Sequence, residues 1–417
     1  MFSDTPLLPE AWLNHEPADC RSAGHERVPV PKTANPLRGT AAVSVQEIRA
    51  KSILIKRKTI DSWFVSRYGM NLYRGCLHNC AYCDGRAEGY YVEGEFGQDV
   101  CVKINAPEIL RRELDPARRR KPLKGGYFLI GGGVGDSYQP LEQTYRLSRR
   151  ALELMAEFRY PVQILTKSTL VRRDLDLLEQ INRQSRAVVG FSISSVDEQI
   201  SSIYEPGVPS PAERLEALKG FKARGIPCAL FLLPVIPFVT DTEQLIDAAL
   251  QAATDAGVDY LIFGGMTLKQ GRQSEYFLRR LSRHHGECLS EYGKIYRGDP
   301  WGQATAEYYR RLHERFRRIA GKYNLPLRMP PELFRDLLDD RDRIAVILDQ
   351  MDYLFRLQGK ASAYGSAARA ISRLAEPIRE ALRSDTTPPA INGKARALIR
   401  EILATGTSEQ YEQLLRK

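Results

Sequence analysis

The chain has 417 residues, 43% of them hydrophobic and 27% charged, with a net charge of +10 at neutral pH. That balance is ordinary for a globular protein with a sizeable core and excludes a low-complexity chain. Seven cysteines are an odd and sparse number for this length, which argues for reduced thiols in a cytoplasmic setting and against a disulfide framework. The opening MFSDTPLLPEAW lacks a basic start and an apolar run, so no signal peptide is expected. No apolar stretch approaches the roughly 20 residues that cross a bilayer, so no membrane partner is expected. The positive charge favours polyanionic partners, although the arginine runs at 111–124, 279–283 and 310–318 read first as solvated faces.

Residues 1–45 carry six prolines and little periodicity, and read as an extended arm. Strands are expected at 69–75, 126–133, 161–168, 187–194, 227–235 and 259–266, each a short apolar run bounded by turn residues. Helices are expected at 141–158, 170–183, 211–225 and 241–257, the third with proline near its start and glycine at its end. Strands alternating with helices imply a parallel sheet with right-handed crossovers. A partial barrel and an open doubly wound sheet both satisfy the pattern, and either puts chemistry at the C-terminal ends of the strands. Residues 268–417 turn mostly helical. The apolar positions of 342–359 fall at helical spacing, as a packing stripe would, and 384–393 reads as a linker.

Three of the seven cysteines, Cys76, Cys80 and Cys83, fall within eight positions of NLYRGCLHNCAYCDGR, spaced C-x3-C-x2-C. Thiolates this close on one loop make one side of a soft-metal site. Three ligands leave an iron–sulfur cluster one short, and an open position can bind a reactant. Zinc is the rival reading, with His78 as a fourth ligand, and a non-enzymatic zinc-binding interaction module is its functional form. A zinc knuckle splits its ligands between two turns, however, so an iron–sulfur centre is preferred, with His78 facing out or hydrogen-bonding locally.

The cysteine spacing, the aromatic Tyr82 before the last cysteine and the strand that precedes the loop resemble the radical S-adenosylmethionine superfamily. NLYRGC, CDGRAE, LIGGGVGDSYQPLE, ILTKS, FSISS with YEPG, and PVIPF resemble more narrowly its spore photoproduct lyase-like branch, often labelled DNA repair photolyases. The likeness covers about residues 52–330. It implies an α/β fold, a partial (β/α)6 barrel of parallel strands over 55–300, flanked by an arm (1–54) and a helical extension (301–417). It also implies a [4Fe–4S] cluster on Cys76, Cys80 and Cys83, with S-adenosylmethionine completing the coordination of the fourth iron. One-electron cleavage then gives a 5′-deoxyadenosyl radical that takes hydrogen from a substrate, with a flavodoxin- or ferredoxin-like electron donor. Gly131, Gly132 and Gly133 match the stretch that receives the methionine amino group, and Lys167 the contact to its carboxylate. Ser192 and Ser194, on one face of their strand, are candidates for ribose or carboxylate contacts. The Tyr82 backbone would meet the adenine edge, beside PVIPF (234–238).

The lyase proper has a hydrogen-donating cysteine just after its second strand, where this chain aligns Gly133, so thymine-dimer repair by that route is not claimed. Cys228, Cys101 and Cys288 are other thiols, each more simply a small buried hydrophobe; Cys228 and Tyr138 are the substrate-side candidates. Tyr90 and Tyr91 can relay a radical or pack. Asp136, Gln139 and Glu142 face substrate or serve the turn. The substrate is a nucleic acid or other large anion, or alternatively a small molecule or peptide.

Overall fold

Ten strands follow one another along the chain: β1 (Ser44–Ile48), β2 (Leu54–Asp61), β3 (Ser66–Met70), β4 (Tyr73–Arg74), β5 (Asp99–Lys103), β6 (Tyr127–Gly131), β7 (Val162–Thr166), β8 (Ala187–Ile193), β9 (Cys228–Val235) and β10 (Tyr260–Gly265). The computed structural model describes residues 43–90, 94–118, 121–131, 134–384 and 387–416. Most of the expected arm, Tyr91, Gly132 and Gly133 lie outside these residues. Seven strands form the main sheet in the order β10-β9-β8-β7-β6-β3-β2. All pairs are parallel except β2 with β3.

The six parallel strands keep their sequence order, without the reversal of a doubly wound sheet, and the sheet curls into a half-barrel. Gln163 on β7 donates to the Tyr260 hydroxyl on β10 at 2.9 Å, across two intervening strands. Only a curled sheet allows that bond, so both side chains mark the concave face. Phe231 of β9 belongs there too, stacked on Phe64 and edge-on to Tyr260. In-register partners share a face and neighbours alternate. The concave face therefore carries Leu129 and Gly131 of β6, Gln163 and Leu165 of β7, Val188, Gly190 and Ser192 of β8, and Phe231 of β9. Lys167 and Ser194 continue it past the ends of β7 and β8. The face is apolar and filled at its base and becomes small and polar toward the C-terminal mouth.

Four sequence expectations need correction. The strand expected at 69–75 is two pieces. β3 ends at Met70, and β4 crosses to a second sheet of order β1-β5-β4, where the Lys103 ammonium and amide hold Asn71 O and Leu72 O at 2.8 and 3.3 Å. The helix expected at 141–158 is broken at Arg146, whose φ of 53° separates Glu142–Tyr145 from Leu147–Phe158. The helix expected from 170 opens with a 3-10 turn, Thr169–Asp174. The chain from Ser44 is sheet, parallel to β5, and not arm.

The helix Asp340–Leu357 shares one hydrophobic core with the sheet. Gln350 donates to Ser62 O at 2.7 Å, and Arg67 binds both oxygens of Asp342 at 2.6 Å. The guanidinium of buried Arg328 lies 4.9 Å from the Trp63 ring and 3.3 Å from that of Tyr353, a cation–π arrangement that offsets its desolvation.

Candidate active site

The cysteine loop leaves β4 at the mouth of the half-barrel. The residue before each of its first two cysteines has left-handed backbone, Gly75 at φ 84° and Asn79 at φ 54°, conformations that glycine and asparagine adopt at least cost. Cys76 and Cys80 are buried and Cys83 partly so; none is in a disulfide. Cys83 caps the turn Asp84–Arg86, its Sγ accepting from the Gly85 amide at 3.4 Å. Burial raises all three thiols above the ordinary cysteine range, Cys80 to about 12. For Cys76 the charge of Asp136 and of the other two cysteines adds to burial. Three such neighbours become thiolates together only around a strongly cationic centre.

The loop is anchored on every side. Gln139 accepts from the Leu77 amide at 3.0 Å and donates to Gly75 O at 3.2 Å. Arg86 donates to Cys80 O and Phe96 O, each at 3.2 Å, with its guanidinium 3.4 Å from the Tyr276 ring. Past β10, Gln273 donates to Tyr82 O at 2.9 Å and to Asp84 at 3.0 Å, and Lys269 stands 3.0 Å from Asp84. His78 is buried and contacts residues far away in sequence, neither facing out nor bonding within its own loop: Nδ1 lies 2.8 Å from Gly207 O and Nε2 3.3 Å from Asp136.

The segment 204–207, the YEPG of the sequence, anchors the loop further. Tyr204 O accepts from the Ala81 amide at 2.8 Å, and the Gly207 amide donates to His78 O at 3.1 Å. A Cβ on Gly207 would stand 2.7 Å from Leu77 O and 2.8 Å from His78 O, so only glycine lets these backbones meet. Glu205, fully buried, accepts from the Tyr82 hydroxyl, from Lys167 at 3.1 Å and from Arg214 at 2.6 Å. Burial opposes its charge, but Arg214 and Lys167 prevail and hold its carboxyl below the ordinary range. Neither Glu205 nor Arg214 was a sequence candidate: YEPG counted only as part of a resemblance, and Arg214 sits in a helix of ordinary composition.

Lys167 therefore reaches the mouth, with its Nζ 5.5 Å from the Tyr82 ring. Ser192 is buried on β8, its carbonyl accepting from Arg214 at 2.8 Å. Ser194 is fully buried, and its hydroxyl has no protein partner, a polar group suited to a ligand. Ile236 of PVIPF packs with Cys80, Ala81, Tyr82, Met266 and Leu268 into an apolar wall. Gly131 has a structural reason of its own: at φ 84°, its Cβ would lie 2.0 Å from Leu165 O.

Other candidates turn away. Cys228 opens β9 at the end remote from the mouth, about 20 Å of strand below it; its Sγ contacts Ile226 O at 3.3 Å. It does not fit a hydrogen donor at the mouth. Tyr138 is fully buried, raised first by burial and then by the charges of Asp174 and Glu142 on outer segments, and belongs to packing. Asp136 accepts from Tyr138 N, Thr166 and Lys167 N at 2.7–2.9 Å. Burial works against its charge, yet His78 and these amides hold its carboxyl below the usual value. Glu142 accepts from Arg173 at 2.7 Å and from the Ser148 amide at 3.0 Å. With Gln139, these are scaffold groups.

A parallel half-barrel with a cysteine loop and a set of cations and hydroxyls at its mouth is the architecture of a barrel enzyme whose chemistry lies at the strand ends. A family model, the radical SAM superfamily, matches residues 70–249. An uncharacterized protein of Mycobacterium tuberculosis, Rv2578c, is 32% identical over 287 residues, covering 68% of this chain and 82% of the relative. MJ0683 of Methanocaldococcus jannaschii is 31% identical over 226 residues, 54% of this chain and 80% of the relative. Spore photoproduct lyase complexed with dinucleoside spore photoproduct shares the fold at TM-score 0.50 and 15% identity, over 70% of this chain and 85% of that one. The chain belongs to the radical SAM superfamily and is an enzyme of that class, which excludes a non-enzymatic zinc module. Enzymes of the superfamily use a [4Fe–4S] cluster and S-adenosylmethionine, and need a reductant. No helix among the described residues is long and apolar enough to cross a membrane.

Proposed function

We propose that Cys76, Cys80 and Cys83 hold the [4Fe–4S] cluster, that the mouth binds S-adenosylmethionine, and that the substrate is a nucleic acid, as in the spore photoproduct lyase-like branch. The observation that carries this reading is the shared position of the cysteine loop, Lys167 and the unpartnered Ser194 hydroxyl at one end of the concave face. Among the described residues no three metal-ligand side chains gather around a single-ion site; cysteines of a cluster each bind a different iron. When bound, the cluster supplies the electron that cleaves the cofactor to a 5′-deoxyadenosyl radical, which takes hydrogen from substrate.

The chain's own residues supply binding and exclusion of water. Lys167 meets the cofactor carboxylate as a point charge. Ser194 and Ser192 supply hydroxyls, and the wall around Ile236 and Met266 covers the adenine. The backbone at Gly131, continued by Gly132 and Gly133, receives the amino group. The carbonyl of Tyr82 already accepts from Gln273, so an adenine contact uses its second lone pair. Free cysteines suit a reducing, cytoplasmic setting with a flavodoxin- or ferredoxin-like donor.

Two features at the rim support a nucleic acid over a small molecule or peptide. Trp301 is 42% exposed, on a loop whose Gly302 O accepts from the Leu268 amide beside the cysteine loop's anchors. The helix Arg272–His284 carries Arg279, Arg280 and Arg283, without ion pairs among the described residues. By contrast, Arg310, Arg311, Arg315 and Arg318 all face carboxylates. An exposed indole and cations without carboxylate partners suit stacking of an unpaired base and contact with its phosphates.

Anaerobic reconstitution should give an iron- and sulfide-containing protein that forms 5′-deoxyadenosine, lost in Cys83→Ala. A colourless protein with one zinc per chain overturns the cluster assignment. A single-stranded oligonucleotide should quench Trp301 fluorescence and release with rising salt; no binding at low salt overturns the substrate class.

A further inference from the structure

Lys167, Glu205 and Arg214 form a buried set of charges that does not balance. The Glu205 and Arg214 side chains are 0% exposed and that of Lys167 is 14% exposed. Lys167 reaches one carboxylate oxygen at 3.1 Å and Arg214 the other at 2.6 Å. The remaining contacts are neutral. The hydroxyls of Tyr82 and Ser201 donate to Glu205, and Arg214 donates to Ser192 O at 2.8 Å and Ser201 Oγ at 3.1 Å. The Asp136 carboxylate accepts from the Lys167 backbone amide and stands 3.3 Å from His78 Nε2, and makes no ion pair with the Lys167 ammonium among the described residues. Two cations thus share one carboxylate; Cys80 lies within electrostatic reach of both cations and Cys83 of Lys167, but burial keeps these thiols neutral until a cluster is bound. An uncompensated charge in such surroundings is costly unless an anion meets it.

Lys167 is the more exposed cation, it shares Glu205 Oε1 with Tyr82, and it lies on the concave face at the mouth. Arg214 is enclosed, so an arriving anion meets Lys167. The geometry points to Glu205 and Arg214 as positioning residues for cofactor binding: Glu205 aims Lys167, and Arg214 occupies Glu205 so that Lys167 keeps charge to spare for the carboxylate of S-adenosylmethionine. This rests on the reading of Lys167 as the carboxylate contact.

The two positioning residues then act in opposite senses. Removing the charge of Glu205 leaves two cations for the cofactor carboxylate. Removing that of Arg214 leaves Glu205 to claim Lys167. A purely structural role would weaken cofactor binding in both variants alike.

The test is equilibrium binding to the anaerobically reconstituted protein, comparing S-adenosylmethionine with its decarboxylated analogue. The ratio of the two dissociation constants reads carboxylate recognition alone and does not depend on turnover. Wild type should favour the intact cofactor by about a hundredfold, each tenfold being one modest charged interaction. Glu205→Gln should raise that preference and Arg214→Met should lower it about tenfold. Arg214→Lys should restore it, and serves where Arg214→Met does not fold. A wild type that does not discriminate, or a Lys167→Met that discriminates fully, overturns the Lys167 reading itself. If wild type discriminates through Lys167 but Glu205→Gln does not raise the ratio, or a folded Arg214→Met does not lower it, the positioning role alone fails.

Discussion

His78 Nε2 and Asp136 Oδ2 stand 3.3 Å apart, a long contact that ties the cysteine loop to the turn after β6. Asp136 also accepts from Thr166 and the Lys167 amide, so one buried carboxylate sets both the cysteine loop and the strand end that presents Lys167. Asp136→Asn keeps the shape but removes the charge facing His78 and weakens the bonds to these amides. The expected cost is about 1–3 kcal/mol. Iron per chain after reconstitution should fall, while far-ultraviolet circular dichroism stays that of the wild type. Full iron retention with an unchanged melting temperature would remove Asp136 from the support of the site.

Two glycines separate a steric requirement from mere occupancy. At Gly207 a Cβ would lie 2.7–2.8 Å from two backbone oxygens, whereas at Gly220, inside the helix Pro211–Ala223, it meets nothing within 4 Å. Gly207→Ala should destabilise by about 1–3 kcal/mol, because backbone cannot rotate aside. It should also perturb the electron paramagnetic resonance signal of the reduced cluster, since His78 and the loop must shift. Gly220→Ala should stabilise by about 0.5–1 kcal/mol. Paired denaturant melts check the opposite signs.

The C-terminal helices complete the core of the half-barrel. Arg67 in β3 and Asp342 in the helix Asp340–Leu357 are both nearly buried and bonded through both carboxylate oxygens. We infer that a barrel cut at 300 does not fold independently and that the extension from 301 belongs to it. Asp342→Asn should cost about 3–5 kcal/mol, the range for breaking a buried pair, and a chain ending at 339 should be insoluble or molten. A truncated chain with a cooperative melt would restore the division at 300.

The parallel strands β6 to β10 were legible because each is largely buried and reads as an apolar run, whereas β3, SRYGM, has no such run. β2, LIKRKTID, was not, because it is an edge strand with exposed basic positions. The cysteine loop was legible from spacing alone, and Lys167 from its place after an apolar strand. Glu205 and Arg214 were not, because their relation spans two helices and the end of another strand and leaves no local pattern. Cys228 misled because a buried thiol looks the same at either end of a strand. Asp136 and Gln139 were placed in the right loop, but sequence does not show which way a turn points its side chains.

His313 offers a pH probe remote from the cysteine loop. It lies between Phe263 and Tyr309, and burial first, then the charges of Arg356 and Arg328, lowers its pKa from 6.5 to about 4. The unfolded chain therefore binds a proton near pH 6.5 that the folded chain takes up only near 4. Stability from the neutral imidazole is complete above about 6.5 and is lost as pH falls toward 4. With partial exposure discounted, the loss is roughly 2 kcal/mol. His313→Gln should flatten this part of the stability profile without changing the high-pH slope. Chemical denaturation at half-unit steps from pH 4 to 8 tests it; equal slopes for both proteins between 4 and 6.5 would show that the ring is as free to charge in the folded state as in the unfolded one.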